Sequence, residues 1–437
     1  MVTNDYIIFA LYAIGAFILA FIFFRKQVRW QRNLLLLALL MKIVVTYAYC
    51  YLYTYHYQEG DARSYYAHGE RIREKFIENP KEGIAMFLEK GSLNMPADVH
   101  KSQYVYWADR ACFTVVRSSF LVGLTSFRSF LVGSLMYSLF ALIGLYAIFR
   151  LYLKYFPKSF IPIYIACLAI PSVLFWSSGI SKDALVLGSL GLFIFFVEII
   201  FVQNKKKVLG LTIVVLAAIL ILLVKPYVLL LLMAPLSYFL IVHVKNKFAL
   251  SGVKVGLALG CCILLLSISL LVAAQFNDRF AINNYITEIA DLQRGNYDNS
   301  KDEGSAYYLG KIEPTLKSVV KKIPGSAVVS LFRPFIWEAK NALMLVTSFE
   351  TFSFTILLLC SLTMVKMKIV VKYLFHPLIM AMFIYGLLYF VLVGLTSYNF
   401  GALSRFKVQA YPMIYIVPLI ILFDKFKPKL QSLFHKI

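Results

Sequence analysis

Tyr6–Phe24 reads YIIFALYAIGAFILAFIFF, without a single charge, and runs into Arg25-Lys26-Gln27-Val28-Arg29-Trp30-Gln31-Arg32 before a second apolar run, Leu34–Tyr53. A helix rises about 1.5 Å per residue, so about 20 apolar residues cross a hydrocarbon layer of about 30 Å. Within such a layer only helices and closed barrels satisfy their own backbone polar groups. The stretch therefore predicts two membrane-crossing helices joined by a short basic turn. The same pattern recurs along the chain and decides its class.

Further runs of that kind are Phe130–Phe149, Ile161–Trp176, Ala184–Val202, Leu209–Val224, Val228–Val244, Val255–Ala274, Leu343–Val365, Pro377–Leu395 and Tyr411–Phe423. The expectation is an all-α polytopic membrane protein of about eleven transmembrane helices. The composition agrees: 60% of the 437 residues are hydrophobic and the mean hydropathy is +0.75. The net charge of +22 would suit a nucleic-acid partner only if it formed a patch. Instead it is dispersed over short connections: Arg25 to Arg32, Arg150 to Lys158, Lys205 to Lys207, Lys245 to Lys254, Lys366 to Lys372 and Lys425 to Lys436. Such connections lie in the cytoplasm by the positive-inside rule and meet anionic headgroups there. The expected N-terminus is then outside and the C-terminus cytoplasmic, with no nucleic-acid partner.

The acidic residues collect on the alternate connections, which are expected to face outward. One of these, residues 56–128, carries a charged stretch from Glu70 to Glu78 and an apolar end, Ala111–Phe127, too short to span and better suited to an interfacial or re-entrant helix. Another, residues 275–341, is polar and holds Arg294-Gly295-Asn296 and Asp302-Glu303-Gly304, a loop signature. No internal repeat is evident, so residues 1–437 read as one transmembrane domain with two long outer loops. Five of the six cysteines fall inside apolar runs and none has metal-ligand spacing. The first run has no basic residue before it and no obvious A-x-A site, so it reads as a retained helix.

Several outer-face motifs can carry chemistry. Asp61 follows the second run in Gly60-Asp61-Ala62-Arg63-Ser64-Tyr65-Tyr66. A carboxylate there can deprotonate a sugar hydroxyl as it attacks an activated carbon, or hold a divalent cation such as Mg or Mn with a phosphate. Glu59 can fill the same role. Arg63, Tyr65, Tyr66 and His68 add polar and aromatic surface of the kind that contacts sugars. In Trp176-Ser177-Ser178-Gly179-Ile180-Ser181-Lys182-Asp183, Asp183 suits the first turn of a helix, while the serines and Lys182 suit an anion at its N-terminus. Both readings stay open. Lys225 is expected to snorkel from a short outer turn.

Arg333, beside Pro334 and aromatics, has the guanidinium geometry for a diphosphate. Trp337 suits either a binding surface or the interfacial aromatic belt, and Glu338 can pair with Arg333 or Lys340. Glu350 lies inside an apolar run, where a carboxylate is costly and by default functional. Asn399, Arg405 and Lys407 precede the last run; the two cations run against the charge rule, so an anion-holding role is expected for them.

These features resemble polytopic bacterial envelope-glycan enzymes, the GT-C-type glycosyltransferases and O-antigen-polymerase-like proteins. The resemblance rests on an acid soon after an early span (Asp61), the Trp176 to Asp183 hairpin, and the late basic motifs at Arg333 and Arg405. It implies a GT-C-like fold in a bacterial cytoplasmic membrane, with interfacial helices in the first outer loop. It also implies transfer of a sugar or glycan from a polyprenyl-phosphate or -diphosphate donor to a glycan acceptor on the outer face. Asp61 would be the catalytic base, with Arg63, Tyr65, Tyr66, Lys182, Asp183, Arg333, Trp337, Glu338, Asn399, Arg405 and Lys407 binding substrate. In GT-C enzymes the acid usually follows the first span, so the correspondence assumes one extra N-terminal helix here. Polymerase-type enzymes rely on outer arginines, which shifts weight to Arg333 and Arg405. A flippase or transporter of lipid-linked glycans is the alternative from another class. It needs charges along the spans, and the runs show few besides Lys42, Glu198 and Glu350.

Overall fold

The computed structural model describes residues 3–57, 60–88, 105–248, 285–298 and 305–434. The expected span Val255–Ala274, the Asp302–Gly304 loop and Glu59 lie outside the described residues, as do parts of both long outer loops. Among those described the architecture is all-helical, with one isolated β-bridge, Ala306 to Asn399.

The helices are α1 (Thr3–Phe24), α2 (Arg29–Tyr51, extended by a π-helical turn Leu52–His56), α3 (Asp61–Glu78), α4 (Pro80–Leu88), α5 (Val105–Ala108), α6 (Arg110–Gly123), α7 (Phe130–Tyr155), α8 (Phe160–Leu168), α9 (Pro171–Trp176) and α10 (Lys182–Phe201). There follow α11 (Lys207–Val224), α12 (Pro226–Phe248), α13 (Tyr285–Asp298), α14 (Leu316–Phe332), α15 (Ala342–Met364), α16 (Met367–Leu374), α17 (Pro377–Thr396), α18 (Phe400–Phe406) and α19 (Tyr411–Phe434).

Eight of these are long and apolar enough to cross a membrane: α1, α2, α7, α10, α11, α12, α15 and α17. A ninth crossing is made if the bent pair Phe400–Gln409 and Tyr411–Phe426, which meet at 73°, counts as one. The apolar run Ile161–Trp176 is not one helix but two, α8 and α9. Proline has no N–H and disfavours helical geometry in the residue before it. Pro171 therefore opens α9, and α8 stops with Ala169 N–H on the Ile165 carbonyl at 3.3 Å. The Ala111–Phe127 segment forms α6, a helix of 14 residues, too short to cross.

The chain separates into two compact units. The first comprises residues 1–146, 174–192 and 216–225. Its hairpin α1–α2 packs Phe9, Tyr12 and Phe17 on Leu39, Ile43 and Leu135. Between α2 and α7, helices α3 to α6 form a layer around Tyr65, Ile72, Trp107, Phe113, Val116 and Phe120. Each such side chain contributes about 1.5–3 kcal/mol when taken from water. Gly69 permits the close crossing of α3 and α6: an added Cβ would lie 2.9 Å from the Phe120 backbone nitrogen. The α7–α10 crossing is tighter still, since a Cβ on Gly191 would sit 2.0 Å from the Gly144 carbonyl oxygen. Small residues at that contact follow from helix association in lipid, which relies on packing because burial from water contributes nothing there.

The second unit comprises residues 147–173, 193–215 and 226–437. Helix α17 lies at its centre, with Leu378, Met382, Tyr385, Tyr389, Phe390 and Val393 all buried. The α14–α17 contact is close: Ser330 donates to the Phe390 carbonyl at 2.7 Å, and a Cβ on Gly394 would meet the Ser326 carbonyl at 2.5 Å. At the end of α10, Glu198 is buried and bonded by Lys154, by Tyr155 at 3.1 Å and by Gln203 at 2.8 Å.

Candidate functional site

In the first unit, Gly60 takes a φ of 124°, a region open to glycine, and turns the chain from α2 into α3. Asp61 thus falls in the first turn of α3, where the helix dipole favours a carboxylate. The group is half-buried, and Tyr106 of α5 donates its hydroxyl to Oδ1 at 3.0 Å. Burial, and secondarily the Asp61 carboxylate, pushes the Tyr106 hydroxyl up to about 12. Tyr106 therefore stays a donor to the carboxylate at neutral pH.

Around this pair the α3–α6 layer assembles a polar and aromatic cluster. Tyr65 is buried, meets Tyr106 edge-on at 5.3 Å and directs its hydroxyl to Cys112 Sγ at 3.6 Å. Trp107 donates to His68 Nδ1 at 3.0 Å, so a neutral His68 carries its proton on Nε2. Asp109 accepts the Cys112 N–H at 2.7 Å as the N-cap of α6, and Lys182 Nζ lies 3.5 Å from its Oδ1. Burial raises the Cys112 thiol, and the nearby Lys182 charge partly offsets this. Asp61 and Tyr65 from one motif and Lys182 from another therefore share one cluster. Tyr106 and Asp109 are its members that sequence reasoning missed. Both stand in Tyr104-Val105-Tyr106-Trp107-Ala108-Asp109-Arg110, where aromatics run into charges, and that is the signal that could have found them.

The neighbouring residues have local tasks. Arg63 is exposed and reaches the Thr54 carbonyl at 3.5 Å, while Tyr66 donates to the Arg128 carbonyl at 2.6 Å. Charges of the Glu70–Glu78 stretch pair both within it and with residues outside it. Arg73 bonds Glu70 at 2.8 Å, Arg128 bonds Glu74, and Lys75 lies 3.0 Å from Glu82.

Deeper in the same unit, charges meet apolar helices. Asp183 opens α10, but its carboxylate is buried and accepts from Lys225 Nζ at 2.6 Å. Lys225 does not snorkel: the carboxylate holds it inward, and it too is buried. Opposite charges at the ends of two apolar runs on the same expected face were the available sign of this pair. Lys42, within α2, is wholly buried and donates to the Leu174 carbonyl at 3.0 Å and to Ser177 Oγ at 2.6 Å. Thr46, one turn on, donates to Ser138 at 2.7 Å.

In the second unit, Ser305 to Tyr307 pair with Tyr398 to Phe400. Tyr307 N–H bonds the Tyr398 carbonyl at 3.1 Å and Phe400 N–H the Ser305 carbonyl at 2.9 Å. Asn399 caps α18, accepting from Gly401 N–H at 2.7 Å and donating to Ser305 at 3.0 Å. Arg333 lies over the Phe400 ring at 5.0 Å and grips Glu338 through Nε at 3.0 and 3.1 Å as well as through Nη2. Glu338 is thus the partner of Arg333. Lys407 is fully buried and donates to the Ser330 carbonyl at 2.7 Å and the Arg333 carbonyl at 3.2 Å, closing the C-terminus of α14. Arg405 is half-buried on α18. Trp337 is 80% exposed and stacks on Phe335 at 4.8 Å.

Glu350 is buried in α15 and accepts from Ser172 N–H at 2.6 Å and Ser172 Oγ at 2.5 Å, at the start of α9. Among the described residues no three His, Cys, Asp or Glu side chains stand together as a ligand set for a metal. No family model matches the chain, and comparison with curated proteins and with solved structures finds no match either.

Proposed function

We propose that the chain is a membrane glycosyltransferase, moving a sugar or glycan from a polyprenyl-phosphate or -diphosphate carrier to an acceptor on the outer face of the bacterial cytoplasmic membrane. The observation that carries this reading is the α3–α6 layer. It holds a half-buried carboxylate, Asp61, on a helix N-terminus beside a tyrosine donor, in the same cluster as the partly exposed ammonium of Lys182.

In the reaction the acceptor hydroxyl oxygen bonds to the anomeric carbon of the donor sugar while the bond from that carbon to the phosphate oxygen breaks. Asp61 takes the hydroxyl proton. The phosphate leaves with the bonding electron pair, and Lys182 stabilises the charge developing on it. Tyr106 keeps the carboxylate oriented. The Lys/Arg-rich connections support the orientation that places this layer outside. Transfer of a preassembled glycan block, as in an O-antigen-type polymerase, uses the same chemistry with a larger acceptor.

The test is Asp61→Asn in the purified chain with lipid-linked donor. Expected is a loss of transfer of about 10²–10⁴-fold with expression and thermal stability unchanged. Normal turnover would overturn the assignment.

A second reading, movement of a lipid-linked glycan across the bilayer, is favoured by Lys42 and Glu350, buried within α2 and α15, because ionisable groups inside apolar helices mark transport pathways. Reconstituted vesicles distinguish the two. Translocation without bond transfer supports the transporter; transfer without translocation supports the enzyme.

A further inference from the structure

The α15–α17 connection carries exposed apolar and basic side chains on one short helix. Both flanking helices are candidate spans, so the residues joining them lie at a membrane boundary. Within that connection α16, Met367–Leu374, is a short amphipathic helix with three sectors.

One sector faces the protein: Val370 is buried, and Ile369 and Tyr373 are half-buried. A second is apolar and open, with Met367 57% and Val371 42% exposed one turn apart. The third is basic. Lys368 and Lys372 stand one turn apart on the same helix face and are exposed, as is Lys366 at the N-cap. These three ammonium groups make no ion pair among the described residues. Phe375, just past the helix, adds another exposed ring. Asp424 lies near the Tyr373 hydroxyl, which burial and then the Asp424 charge hold protonated, and Lys425 donates to the Met364 carbonyl at the end of α15.

A helix at a span boundary with an open apolar sector beside a basic one matches the geometry of an interfacial helix. Its apolar side enters the acyl region while its cations stay at phosphate level. We propose that α16 and Lys366 form a binding site for the phosphate of anionic phospholipid headgroups. Met367, Val371 and Phe375 hold the acyl side, and Lys366, Lys368 and Lys372 hold the charge. The site does not depend on which leaflet it faces, nor on the glycosyl-transfer reading.

The experiment uses the full chain in mild detergent, titrated with phosphatidylglycerol or phosphatidylcholine, with bound lipid counted by native mass spectrometry. Expected is preferential binding of phosphatidylglycerol. Its affinity should fall about fivefold for each lysine lost, the factor that corresponds to about 1 kcal/mol per basic residue at an anionic surface. A Lys366→Gln, Lys368→Gln, Lys372→Gln variant should therefore bind both lipids alike, while the triple Arg variant should keep the preference. Met367→Ser with Val371→Ser should weaken both lipids together. Equal binding of the two lipids by the native chain, or an undiminished preference in the triple Gln variant, overturns the proposal. Capture of soluble acidic peptide in place of phosphatidylglycerol also overturns it.

Discussion

Three cations from the sequence motifs, Lys182 in the first unit and Arg333 and Lys407 in the second, are held differently. In the first, Lys182 remains partly exposed and only loosely paired, 3.5 Å from Asp109, in the same cluster as a half-buried Asp61. In the second, Arg333 is gripped by Glu338, and Lys407 lies wholly inside the fold on two backbone carbonyls. A basic residue that defies the topological charge rule is therefore not by itself an anion site. A helix end that must be closed away from water can require the same charge. What separates the cases is the acceptor: a main-chain carbonyl or bidentate carboxylate satisfies the cation, whereas a long contact at a partly wet surface leaves it available.

That contrast can be broken most readily at Lys407. Lys407→Met strands the Ser330 and Arg333 carbonyls in a buried setting, and a loss of about 1–3 kcal/mol is expected. Thermal unfolding in detergent measures it; an unchanged midpoint would mean the ammonium is not structural. Next comes Glu338→Gln, which releases Arg333. Because this pair is partly exposed, the loss of stability should be about 1 kcal/mol or less. The informative readout is phosphate, which should raise the unfolding midpoint of this variant but not of the native chain. If the native chain responds equally, Arg333 is already open to anions and the contrast fails. Smallest is Lys182→Gln, where a stability change of about 0.5 kcal/mol or less should accompany weaker donor binding in the transfer assay. A large loss of stability with donor affinity intact would place Lys182 among the structural cations.

Much of the fold was legible because it depends on short-range pattern. Among the described residues apolar run length located eight helices long and apolar enough to cross a membrane, and the length of Ala111–Phe127 marked α6 as too short for that. The departure at Ile161–Trp176 is also local in origin: its hydropathy is continuous but its backbone is not, and Pro171 outweighs composition. The candidate site was less legible. Asp61 and Lys182 were visible as charges near span ends, yet their neighbours Tyr106 and Asp109 come from other segments, and no spacing rule links residues 45 positions apart. The same holds for Asp183 and Lys225, each of which has a sufficient local explanation as cap or snorkelling residue. Only their mutual contact shows that burial, not exposure, governs both.

The bond between Glu350 and Ser172 also bears on how the protein is made. Six residues of helix are too few to persist alone, and α9 starts on a carboxylate that lies 178 positions further along the chain. Ribosomes deliver the N-terminal part first. The α8–α9 segment is therefore made with the start of its second helix unanswered, and waits until α15 has been synthesised. Completion of this break is a late event in biogenesis. A chain truncated before Glu350 should leave the segment open to proteases and quality-control machinery, even though every residue of the segment itself is already present.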